Sequence, residues 1–246
     1  MTQSATERRK IWLARLGDWR VRHLLVIALG ALAVYLFWES RPEWSPMHRW
    51  NRSFGDASLV LVAVAMTIGP LARFWPALRR AVPWRRELGV WGVVLMGVHT
   101  IIIFDGWLEW DLARFIGLQF VPQLDRYVMV LHGFGLANLL GIVALLYGTV
   151  LALTSNNFSQ RLLGGAVWKF FQQGTYVLWM LIVLHTAYFL YLHFQDFHRP
   201  TPEPNWVQWP FAVLVLSVLI LQGAASWKIW RARRRGNSGG EATVSA

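Results

Sequence analysis

The chain has 246 residues, 55% of them apolar and only 15% charged, with a mean hydropathy of +0.37. A soluble domain of this length carries charge on about a quarter of its residues, and here the apolar residues come in long blocks, the pattern of membrane spans. The net charge of +11 does not point to nucleic acid, because the basic residues cluster at the ends of those blocks, and zero cysteines exclude disulfides, thiolate metal sites and cysteine-held iron–sulfur clusters.

Residues 1–22 are polar and basic, a cytoplasmic N-terminus by this reading. The first apolar block, Leu24–Trp38, has no small-residue cleavage site before Glu39-Ser40-Arg41-Pro42, so it reads as a retained span and not as a signal peptide. Five further blocks follow: Ala57–Phe74, Leu88–Phe104, Tyr127–Leu153, Phe170–Phe194 and Trp209–Ala225. Gly69-Pro70 predicts a kink or stop near the end of the second. The expected fold is an all-α integral membrane protein, a six-helix transmembrane bundle over residues 23–227. A basic, disordered cytoplasmic tail is expected over residues 228–246.

With both termini in the cytoplasm, 18 of the 24 Lys and Arg residues fall on the inner side. That asymmetry sets the orientation, N-in and C-in. The outer connections hold most of the acids. The longest of them, Asp105–Asp125, contains an amphipathic piece, Leu108–Phe120, that predicts an interfacial helix. Most of the sixteen tryptophans lie at span ends, as an aromatic belt requires. No internal repeat is apparent.

Of the seven histidines, His23, His48, His193 and His198 fall at or beyond the expected membrane surfaces. His99 and His185 lie deep inside spans that both run outward, about 20 Å beyond Arg86 and about 24 Å beyond Lys169. Ionisable groups at that depth are functional-site candidates. Two neutral imidazoles at one level suit bis-histidine ligation of a b-type haem iron. The alternative is two unrelated histidines, each bonded to a nearby backbone carbonyl. Two histidines with no third ligand make a poor zinc site. His132, about 35 Å from Ser155, is a third candidate, for a haem edge or an outer substrate site.

Several pieces, in order, resemble the ferric reductase-like transmembrane domain family. The nearest form is the compact MsrQ (YedZ) type, the haem-binding membrane subunit of periplasmic methionine-sulfoxide reductase systems. Ser53-Phe54-Gly55 opens the second span and Gly69-Pro70-Leu71-Ala72-Arg73 closes it. Arg85-Arg86-Glu87-Leu88-Gly89-Val90-Trp91 leads to His99. Leu151 to Asn156 ends the fourth span, and Arg161-Leu162-Leu163-Gly164, Trp168 and Tyr176 lead to His185. The resemblance covers residues 50–195 and implies that His99 and His185 are axial ligands of haem b. At the position where the family usually has a further histidine, this chain has Gln172, so one haem is expected and not two.

The resemblance also implies transmembrane electron transfer. The donor is expected to be a cytoplasmic flavin reductase or a membrane quinol, because only about twenty residues follow the last span. The acceptor is expected to be a periplasmic reductase subunit or another external acceptor. Arg86 reads first as a topology anchor and second as a cofactor contact, to an anionic flavin or a propionate. Two other functions fit the same spans: a stand-alone membrane reductase of ferric chelates or oxygen, and a redox-inactive scaffold.

Overall fold

A computed structural model describes residues 18–129, 132–193 and 205–241; for His132 and residues 235–241 it describes the backbone alone. Six helical segments are long and apolar enough to cross a membrane: Trp19–Glu39, Pro46–Phe74, Trp84–Leu108, Gly133–Leu153, Gly165–Leu192 and Gln208–Arg234. The six-span, all-α architecture is as expected, with differences at the ends of the spans that matter for the site.

Helix α1 (Trp19–Glu39) starts at Asp18, whose carboxylate accepts from the Arg20 amide at 2.9 Å. It buries Val26, Gly30 and Val34 and is tied to the third span by Arg22, whose guanidinium meets Glu87 at 2.9 Å. Glu87 is 1% exposed. Helix α2 (Pro46–Phe74) begins with proline in its first turn, where the missing N–H costs nothing. It therefore starts about three turns before the expected Ala57. Those turns carry Arg49, Asn51, Arg52 and Asp56, polar residues that a hydropathy window excludes from a span.

Pro70 neither stops α2 nor leaves a polar gap. Its missing N–H would have bonded the Met66 carbonyl, and the side chain of Gln222 donates to that oxygen at 2.8 Å instead. Gln222 lies on α9 (Gln208–Glu241), so the sixth span supplies the bond that the second lacks. Arg85 donates to the Ala65 carbonyl at 3.0 Å on the same stretch. Helix α9 runs on past the expected end at Ala225, with the Lys228 ammonium donating to the Arg73 carbonyl at 2.7 Å.

Helix α3 (Trp84–Ile103) packs on α2 and continues as a single π-helical turn, Phe104–Leu108. Gly92 is the point of close approach: a Cβ there would lie 2.9 Å from Val62. Ser58 donates to the Gly92 carbonyl at 2.8 Å.

The interfacial helix expected over Leu108–Phe120 does not form. Glu109 and Trp110 take positive φ (49° and 60°), which ends the α3 segment. Asp111 then caps only a four-residue helix, α4 (Leu112–Phe115), and Gly117 at φ 86° closes it. An antiparallel hairpin follows, β1 (Leu118–Val121) with β2 (Arg126–Met129), pairing Phe120 with Tyr127. The fourth span therefore begins at His132 and not at Tyr127, because Tyr127 to Met129 is committed to the hairpin.

Helix α5 (His132–Leu153) is followed by the short α6 (Asn157–Leu163) and α7 (Gly165–Gln172), then α8 (Thr175–Ala187) and a second π-helical turn, Tyr188–Leu192. The fifth span is thus interrupted at Gln173-Gly174, where the Tyr147 hydroxyl occupies the space of a Gly174 side chain. Its expected last residue, Phe194, lies outside the described residues, as do His198 and residues 1–17. The main core joins α2, α3, α5, α8 and α9, with Met66, Leu190 and Val218 among its most buried members.

Candidate cofactor site

His99 comes from α3 and His185 from α8, and the bundle brings them together. Their ring centres are 6.2 Å apart, with the planes nearly perpendicular at 87°. Each ring lies against the helix paired with its own. His99 Nδ1 is 2.9 Å from the Asn51 carbonyl of α2, and His185 Nδ1 is 2.7 Å from the Ala137 carbonyl of α5. A carbonyl oxygen only accepts, so both Nδ1 atoms carry the hydrogen and both Nε2 atoms keep their lone pair. That is the tautomer in which a histidine binds a metal through Nε2 while Nδ1–H fixes the ring.

Glycines make room for both rings. A Cβ on Gly55 would lie 3.1 Å from His99 Nδ1, and one on Gly141 would lie 2.8 Å from His185 Nδ1. In both cases the accepting carbonyl belongs to the residue four positions before the glycine. The two arrangements are 86 positions apart throughout: 51 and 137, 55 and 141, 99 and 185. The same offset relates further residues of the site, Arg52 to Asn138, Met96 to Ile182 and Thr100 to Thr186. The bundle thus contains an internal repeat, α2–α3 and α5–α8, where none was apparent from the sequence. The available signal was short: a glycine 44 positions ahead of a His-Thr pair, occurring twice.

The two repeats enclose a cavity of about 1010 Å³ that reaches outward from the histidines to the 105–129 segment. Its lower wall includes Asn51, Arg52, Gly55, Asp56, Gly141 and Phe189, and its outer part includes Trp107, Asp111, Arg114 and Tyr127. His48 and His193, read from the sequence as surface histidines, both line it. The early start of α2 carries His48 inward, and the π turn after α8 carries His193 back over Phe134 and Phe189. The outer segment is fastened to α5, where the Asn138 amide donates to the Phe115 carbonyl at 3.0 Å.

Arg41 and Asp56 form an ion pair at 2.5 Å beside this wall. Both are buried, although Arg41 reads from the sequence as an outer-loop charge. Among the described residues, no group of three or more His, Cys, Asp or Glu is arranged to hold a metal ion, so the histidine pair is not part of a larger set of that kind.

The remaining candidates lie elsewhere. Arg86 is half-buried near the start of α3 and donates to Asn157 at 3.0 Å. Gln172 turns its amide toward the end of α5, donating to the Leu151 carbonyl at 3.3 Å and to Thr154 Oγ1 at 3.2 Å. His132 begins α5, and its side chain lies outside the described residues. His23, on the first turns of α1, accepts from Trp91 Nε1 at 2.9 Å.

No protein-family model matches the chain. It is 26% identical over 232 residues to the protein-methionine-sulfoxide reductase heme-binding subunit MsrQ of Ralstonia nicotianae, spanning 94% of this chain and 90% of that protein. It is equally 26% identical over 235 residues to the MsrQ of Caulobacter vibrioides, spanning 94% of this chain and 96% of that one. The likeness runs along nearly the whole chain and agrees with the resemblance read from its motifs. With six apolar helices, the chain is a multi-pass protein of the bacterial inner membrane.

Proposed function

We propose that this MsrQ-like chain is a membrane electron-transfer subunit that holds one haem b, with His99 and His185 as the axial ligands of its iron. The observation that carries this reading is the histidine pair itself. Metal–nitrogen bonds of about 2 Å to each imidazole, together with the ring radii, set two ligand ring centres about 6 Å apart. The observed separation is 6.2 Å. Both rings are already in the tautomer that leaves Nε2 to ligate, and the apolar cavity around them suits a porphyrin.

Haem bound there supplies a one-electron carrier inside the membrane. The chain's own residues orient the ligands through the Asn51 and Ala137 carbonyls and exclude bulk water with the α2, α3, α5 and α8 walls. A single haem is favoured by the inner positions. Thirteen residues before His99 stands Arg86, and thirteen before His185 stands Gln172. Neither offers an imidazole, and Gln172 spends its amide on α5. Electrons enter from a cytoplasmic flavoprotein or a membrane quinol and leave to a periplasmic acceptor, with both termini in the cytoplasm. The relatives' name, subunit of a methionine-sulfoxide reductase, supports a periplasmic reductase as that acceptor.

The test is the spectrum of the purified protein in mild detergent, oxidised and dithionite-reduced, for the wild type, His99→Ala and His185→Ala. The expected result is a b-type spectrum at one haem per chain, lost in both variants. A wild type without haem removes the electron-transfer reading. Two haems per chain contradict the single-site part of it.

A further inference from the structure

The wall beside the histidines carries more positive charge than the protein neutralises. Arg52 and Asp56 both line the cavity on α2, one helical turn apart. The Asp56 carboxylate is already engaged by Arg41 at 2.5 Å, so two guanidinium groups stand against one carboxylate. The spare carboxylate of the outer end, where Glu109 and Asp111 share Arg114 at 3.1 and 3.8 Å, belongs to the 105–129 segment and not to this wall, and both acids there are more than a third exposed.

The guanidinium of Arg52 makes no hydrogen bond to protein among the described residues. Its Cζ lies 5.6 Å from the centre of the Phe189 ring, which in turn lies 5.0 Å from the His185 ring. In the other repeat, the residue 86 positions on is Asn138, uncharged and spent on the Phe115 carbonyl. The excess cation is therefore on one side of the site only. An uncompensated charge at this depth in a membrane protein is costly and calls for a partner. A planar fork of donors is matched best by a carboxylate, which it binds through two parallel hydrogen bonds.

We propose that Arg52 anchors a carboxylate of the ligand held between His99 and His185, and so fixes which way round that ligand sits. The inference rests on the haem reading, in which the carboxylate is a propionate. The experiment separates the two. Haem-free protein in detergent is titrated with haem and with haem dimethyl ester, which keeps the iron and the ring but has no carboxylates. Binding is followed by the Soret band for the wild type, Arg52→Gln and Arg52→Lys.

The wild type is expected to bind haem roughly ten- to a hundredfold more tightly than the diester, the worth of one charge-assisted hydrogen-bonded contact. Arg52→Gln is expected to lose most of that preference while binding the diester as the wild type does, and Arg52→Lys to fall between. Equal affinity of the wild type for haem and diester overturns the anchor, whether or not the variants fold. An unchanged preference in Arg52→Gln overturns it as well. A wild type that binds neither compound overturns the haem reading itself, and the anchor with it.

Discussion

In the α2–α3 repeat the His99 ring rests 3.1 Å from where a Gly55 Cβ would be; in the α5–α8 repeat the His185 ring rests 2.8 Å from the same point on Gly141. What the repeats share is the apparatus that orients an imidazole: a glycine, the carbonyl four residues before it, and a histidine on the neighbouring helix. What differs is the wall around it. The first repeat places Arg52 and Asp56 on the cavity, and the second places Asn138 and Ile142 at the matching positions. Packing is exchanged as well. Gly92 of α3 receives Val62 of α2, whereas in the second repeat the glycine is on α5, where Gly148 receives Leu178 of α8. The histidines and glycines form an even-handed clamp, and the charges make the site lopsided. Such a site suits a ligand that is symmetric at its metal and asymmetric at its rim.

The clamp can be broken most sharply at its tighter glycine. Gly141→Leu is expected to push His185 out of place and leave the purified protein with almost no haem, read from the pyridine haemochrome. Gly141→Ala is expected to lose more haem than Gly55→Ala, since a Cβ at 2.8 Å forces a shift and one at 3.1 Å asks for a few tenths of an ångström. Equal losses would mean that the two repeats yield alike.

The lopsided wall is tested by Asp56→Ala, which leaves the buried Arg41 and its half-buried neighbour Arg52 without their carboxylate. It is expected to destabilise the protein by about 3–5 kcal/mol, seen as a lower thermal midpoint in detergent, whereas Ile142→Ala in the other repeat is expected to behave as an ordinary large-to-small change. The far ends of the repeats differ too, since α2 passes through Pro70 and α5 stops at Leu153. Gln222→Leu is expected to cost about 1 kcal/mol by leaving the Met66 carbonyl unbonded. In a Pro70→Ala background, where the helix supplies its own N–H, that cost is expected to vanish in a double-mutant cycle. The smallest change is expected for Gln172→Leu: about 0.5–1 kcal/mol from its long hydrogen bonds, with haem content unaltered.

Hydropathy alone located all six spans, and depth along them singled out His99 and His185. Both readings rest on local sequence and simple helix geometry. The start of α2 was hidden because Arg49, Asn51, Arg52 and Asp56 look like loop residues until their partners are known. Arg49 lies over the Trp38 ring and donates to its carbonyl at 2.8 Å, a contact between residues on different helices. The 105–129 segment misled for the opposite reason. Its apolar pattern is amphipathic, but left-handed backbone at Glu109 and Trp110 breaks the helix that the pattern suggests. His48 and His193 join the cavity wall only because of where the helices around them begin and bend. The repeat is faint in the sequence because its signal is three positions in each half, spread over 48 residues.

The hydrogen bonds that aim the two imidazoles never cross between the repeats: Asn51 serves His99, and Ala137 serves His185. During synthesis, His99 follows the carbonyl that steers it within α2 and α3, and His185 is translated 86 residues later. At roughly 5–20 residues per second, that is a delay on the order of 4–17 s. On the proposed haem reading, a cofactor that needs both rings is admitted only when the two halves meet. Haem occupancy would then work as a record of completed assembly, and a chain stalled before α8 would hold none.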